Sequence, residues 1–99
     1  MYGKYKLNDI VCLDDNIREF LKFKSKEIKM HVLLNYILCN YCKHKELFPN
    51  DVISIFYINN KFKNFLVKNN KYIGDDYSID GIKILLEDFV HRKQIIIEI

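Results

Sequence analysis

Apolar and polar positions alternate along this chain in stretches that change period. Val11 and Leu13 end a short strand-like run, and Asp14 then offers a carboxylate where a helix start leaves backbone N–H groups without acceptors. Ile17, Phe20 and Leu21 follow at helical spacing. Ser25 reads as a second N-cap, with Glu27 in the first turn at the positive end of the helix dipole. From Ile28 to Tyr41, Met30, Leu33, Leu34, Ile37, Leu38 and Tyr41 recur at three and four residues, with Val32 and Tyr36 on the flanks. One buried face requires fewer apolar residues than this, so the helix is expected to be covered on two sides, by the core and by a partner.

Lys43 to Asp51, with Pro49, reads as a polar loop, and Ile53, Ile55 and Tyr57 then alternate as a short strand. Phe62, Phe65 and Leu66 restart the helical period, and Gly74, Asp75 and Asp76 break it. Ser78 precedes a last amphipathic helix carrying Ile79, Ile82, Leu85, Leu86, Phe89 and Val90. The tail from Gln94 to Ile99 is rich in β-branched residues and would be a liability as a free edge, so it is expected to pair with the N-terminal strand. Together these elements predict a small, mainly helical α+β domain with short strands, including one at each end.

Composition narrows the class. A chain of 99 residues with 49% hydrophobic residues forms one domain around one core, without needing disulfides. Three glycines and one proline leave no linker composition, so nearly the whole chain is expected to be ordered. Lysine greatly outnumbers arginine, alanine is absent, and Ile and Asn are abundant, a bias of AT-rich coding such as large DNA viruses show. The net charge of +3, with carboxylates interspersed, falls short of the basic stripe of a phosphate binder. No stretch approaches the roughly 18 apolar residues of a membrane span, and no signal-peptide pattern opens the chain. Three cysteines without such a signal read as reduced thiols in an intracellular protein, nuclear or cytoplasmic.

The order of motifs between Leu13 and His91 resembles the SWIB family, which includes subunits of chromatin-remodelling complexes. The family shares its fold with the tumour-suppressor-binding domain of the double-minute ubiquitin ligase. Asn16 to Leu21 is similar to the family's opening helix, and Ser25-Lys26-Glu27 with Leu33 to Ile37 resembles its capped second helix. Phe56 to Leu66 is similar to its strand, polar turn and Leu-x-x-Leu-Phe helix, and Tyr77-Ser78-Ile79 with Ile84-Leu85-Leu86 resembles the closing helix. The chain departs from the chromatin members at Leu34, where they often carry Trp, at Asn59, where they often carry Asp, and in a longer loop after Cys42.

The resemblance implies a non-enzymatic module whose cleft receives the apolar face of a partner's amphipathic helix, in transcription or chromatin-related assembly. One wall of the implied cleft is Met30, Leu33, Leu34, Ile37 and Leu38. The other wall and floor are Phe65, Leu66, Tyr77, Ile79, Ile82, Leu85 and Leu86. Leu34, Tyr77 and Leu86 are the favoured contacts, several of the others being core residues, and rim lysines such as Lys29 and Lys83 would steer an acidic partner. No cofactor is implied.

Three rival readings come from the residues themselves. Cys39-x-x-Cys42-x-His44, with Cys12, His31 or His91 as a fourth ligand, has zinc-like donors, set against the ordinary fate of unpaired cysteine as a small buried hydrophobe. Lys61, Lys63, Lys68 and Lys71 interleaved with Phe62, Phe65 and Tyr72 offer a nucleic-acid surface or merely a solvated helix face. A structural subunit of a larger particle would use the same apolar surface permanently. The carboxylate pairs Asp14-Asp15 and Asp75-Asp76 lie at caps and turns and point to no catalysis.

Overall fold

The computed structural model describes residues 3–45 and 55–93. The chain runs β1 (Ile10–Leu13), α1 (Asp15–Leu21), β2 (Glu27–Lys29), α2 (Met30–Tyr41), β3 (Cys42–Lys45), β4 (Ile55–Ile58), α3 (Asn60–Lys68), β5 (Asp76–Ser78), α4 (Ile79–Glu87) and β6 (Val90–Arg92). It is the α+β domain expected, with two antiparallel sheets ordered β2-β1-β6 and β3-β4-β5.

The order β-α-β-α-β occurs twice, and the two halves repeat in register. Val11 faces Ile28 and Arg92, as Phe56 faces Tyr77 and His44. Backbone bonds recur in the same places. The Asp14 N–H donates to Phe89 O at 2.9 Å and the Asn59 N–H to Tyr41 O at 2.8 Å. Likewise the Leu13 N–H donates to Lys26 O at 2.7 Å and the Ile58 N–H to Asp75 O at 3.1 Å. Each half lends its last strand to the other's sheet, so neither sheet is complete without both halves.

The apolar periods explain the core. Ile17 and Phe62, each three residues after its helix cap, are fully buried, and Leu21 and Leu66 follow one turn on. Where α1 meets α3, the rings of Phe20 and Phe65 stack with centroids 4.4 Å apart. Asn59 and Ser78 cap α3 and α4 by accepting from Phe62 N and Gly81 N, each at 3.0 Å. Among the described residues no helix is long and apolar enough to cross a membrane.

Several local expectations are corrected. Ser25 caps no helix: its hydroxyl accepts from the Glu27 N–H and donates to the Glu27 carbonyl, a turn that opens β2. The helix starts later, at Met30, because the segment before β1 supplies the acceptors: the Met30 and His31 N–H groups donate to Asp9 O and Leu7 O, both at 2.9 Å. Asp14 stands at the cap of α1, but its carboxylate meets His91 Nδ1 at 2.7 Å and caps nothing. The expected loop from Lys43 begins as β3, since Cys42 to Lys45 pair with β4. Val90 opens β6 instead of closing α4, and it is this strand that pairs with β1. Ile53 and the tail from Gln94 lie outside the described residues.

Candidate functional site

The cleft residues carried over from the resemblance come together, but mostly inside. α2 and α4 pack on each other, and Met30, Leu33, Leu34, Ile37, Phe65, Leu66, Tyr77, Ile82, Leu85 and Leu86 all belong to the buried core. Leu38 is half-buried against that core, and Ile79 is 37% exposed. Leu34 and Leu86, two favoured contacts, are buried like their neighbours; Tyr77, the third, borders an open surface.

That surface is a groove of about 280 Å³ on the other side of α4, between the helix and the turn that follows α3. Tyr77, Gly81, Leu85 and Asp88 succeed one another along it at three- and four-residue spacing, with Ile84 beside them. Asn70, Lys71 and Ile73 form the opposite bank. Asn70 holds a left-handed backbone (φ 59°) and Gly74 a φ of 152°, which turns the chain sharply enough to present Ile73 outward. Ile73 is 82% exposed and Ile84 45%, so the groove is edged by two aliphatic side chains facing water. Gly81 contributes depth, since a Cβ there would lie within 3.6 Å of the Tyr77 ring.

The electrostatics of the groove are sparse. Lys71 Nζ and Asp88 Oδ2 pair at 3.8 Å across its end. The buried Tyr77 hydroxyl makes no hydrogen bond. Desolvation holds its phenol above the ordinary tyrosine range, with Tyr72 and Asp75 adding to the effect. The Ile73 backbone N–H opposes the shift without reaching hydrogen-bond geometry. The lining holds no thiol or imidazole, so its available chemistry is burial of apolar surface. At about 280 Å³ it is slightly below the ~300 Å³ at which small-molecule sites begin, a size for one or two side chains.

The sequence pattern located Tyr77 and Leu85 but missed Ile73 and Ile84. Ile84 falls out of phase with the core positions Ile82 and Leu86, and that mismatch was the available signal for an outward apolar residue. Ile73 sits among turn residues, where hydropathy carries no period to read.

The rival sites fare differently. Cys39 is exposed on α2, while Cys42 and His44 lie on β3. Burial pushes the Cys42 thiol up to about 11, which keeps it protonated at neutral pH, and the His44 ring rests edge-on to Phe56. Among the described residues no group of three or more His, Cys, Asp or Glu is placed to hold a metal. Of the lysines interleaved with aromatics, Lys63 pairs with Asp75 at 3.8 Å and lies over the Tyr72 ring, and Lys71 pairs with Asp88. Phe62 and Phe65 are buried, and Tyr72 is half-buried beneath Lys63. Lys61 and Lys68 instead edge a separate depression between α1 and α3, floored by Phe20 and Phe65. Lys29 is exposed, but Lys83, expected at the rim, is fully buried.

No family model, curated protein or solved structure matches the chain.

Proposed function

We propose that the protein is a SWIB-like interaction module that binds an amphipathic helical segment of another protein, in transcription or chromatin-related assembly, and performs no catalysis. The observation that carries the reading is the groove beside α4, where Ile73 and Ile84 stand exposed over Tyr77 and Leu85. The binding surface is therefore assigned to the loop-facing side of α4, with the α2–α4 contact serving as core. Burying apolar anchors contributes about 1.5–3 kcal/mol each. Less the cost of ordering the partner segment, this brings micromolar binding within reach.

The test is selection of helical segments from a displayed peptide library, followed by affinity measurement with folded variants. Selected helices should lose at least tenfold in affinity against Ile84→Glu and little against Val67→Glu, which alters an exposed apolar residue outside the groove. Selected helices that bind both variants like the unaltered protein would place the function elsewhere. Nucleic-acid binding would instead appear as retention of DNA or RNA that falls steeply with salt.

A further inference from the structure

The internal repeat supplies a counterpart for the groove, and in that counterpart the space is filled. Lys22 and Asn70 both adopt φ 59° and close the ends of their helices with N–H bonds three residues back, to Glu19 O and Val67 O. The next residues, Phe23 and Lys71, both donate their N–H five residues back, to Arg18 O and Leu66 O. Phe23 and Lys71 thus hold the same place in the turns that end the two helices, α3 being nine residues long and α1 seven. The strand registers that align Ile28 with Tyr77 carry Tyr36 onto Leu85. In the first half the Phe23 ring packs edge-on against Tyr36, with centroids 4.8 Å apart. In the second half the same two positions hold Lys71 and Leu85, and the groove stands open.

Charge is also asymmetric. Lys71, the one cation lining the groove, is tied to Asp88, and Asp80 stands one helical turn before the lining residue Ile84 on α4. Lys71 and Asp88 cancel, so it is Asp80 that leaves this side of α4 with one negative charge over, although the chain as a whole carries +3.

We infer that the groove takes an aromatic side chain from a partner segment that carries a basic residue beside it. The ring occupies the place that Phe23 fills in the first half, and the cation faces Asp80 and Asp88. The inference rests on the groove being the binding surface and adds what the surface selects.

The experiment follows isoleucine and leucine methyl resonances while the protein is titrated with N-acetyl-Phe-Lys-amide, N-acetyl-Phe-Glu-amide and N-acetyl-Ala-Lys-amide. The Phe-Lys probe should move the methyls of Ile73, Ile84 and Leu85 and bind at least threefold more tightly than Phe-Glu at low salt. That preference should shrink at high salt, and Ala-Lys should leave the same methyls in place. The variant Lys71→Phe, Leu85→Tyr copies the first half's plug and should abolish the response while keeping the other methyl shifts. Should that variant fail to fold, Ile84→Gln serves, with an expected weakening of at least threefold. Equal binding of Phe-Lys and Phe-Glu, or of Phe-Lys and Ala-Lys, overturns the inferred partner chemistry while selected helices still bind through Ile84. Failure of both the probes and the selected helices at Ile84 removes the groove itself.

Discussion

Lys83 Nζ donates to Glu87 Oε2 at 2.9 Å within one turn of α4, and the two side chains are 0% and 3% exposed. The same carboxylate oxygen accepts the Tyr5 N–H at 2.8 Å, tying the segment before β1 to α4. Gly3 adopts φ 121°, and a Cβ there would overlap the Glu87 carboxylate. Removing one member of such a pair strands a buried charge. Lys83→Met should therefore lower stability by about 3–5 kcal/mol. The double variant Lys83→Met, Glu87→Leu should recover most of that loss but stay below the unaltered protein, because the Tyr5 N–H then lacks its acceptor. Urea unfolding of the three proteins checks this, and a double variant no better than the single one would refute it.

Acid should act through the same residue. Desolvation raises the Glu87 carboxyl, but bonds from Lys83 and from the Tyr5 and Lys4 backbone outweigh it, and the group lies below its ordinary value of 4.5. A carboxylate depressed by folding stabilises fully above its unfolded pKa, and that contribution is lost as pH falls through the lower folded value. The stability gap between the unaltered protein and Glu87→Gln should be constant near neutral pH and close progressively below 4.5. Denaturation midpoints measured down the acid range decide it; a gap that persists at strongly acid pH would show that Glu87 acts by shape and not by charge.

The positions read from the helical period should separate by what covers them. Leu86 is fully buried and Ile84 is 45% exposed, though they lie two residues apart on α4. Leu86→Ala should cost about 2–5 kcal/mol, the range for core truncation, whereas Ile84→Ala should stay within about 0.5 kcal/mol. Thermal unfolding of the two variants provides the comparison. A large loss at Ile84 would mean that the outer face of α4 is part of the core.

Much of the fold was legible because it rests on short-range rules. Ser78 announces its helix, Ile17, Phe62, Phe65 and Leu66 keep the helical period, and Val11 and Leu13 mark a strand. The failures have a common cause in distant partners. Ser25 looks like a cap locally, but Asp9 and Leu7 carbonyls reach α2 first, and Asp14 finds His91 across the sheet. Lys83 reads as solvent-facing until Glu87 and the N-terminal segment close over it. The repeat was equally hidden, since its halves share registers and bond positions more than residue types: Phe23 answers to Lys71, and Tyr36 to Leu85. For the site, period marked which residues are apolar, and only packing told which of them turn away from the core.

Tyr77 gives the sharpest test of that packing. Its ring is buried at the inner wall of the groove, and its hydroxyl lies out of solvent with no hydrogen bond. An unpaired buried hydroxyl costs about 1–3 kcal/mol of desolvation, so Tyr77→Phe removes a penalty while keeping the ring and its contacts. The variant should be at least as stable as the unaltered protein, with a gain of up to ~1 kcal/mol, set against a clear loss for Tyr77→Ala, which opens a cavity. On the proposed use of the groove as an apolar surface, the affinity of selected helices for Tyr77→Phe should change by less than about threefold. A Tyr77→Phe variant that folds normally but fails to bind would show that the hydroxyl is held without a partner for the ligand's sake, and would move the centre of recognition from Ile73 and Ile84 to Tyr77.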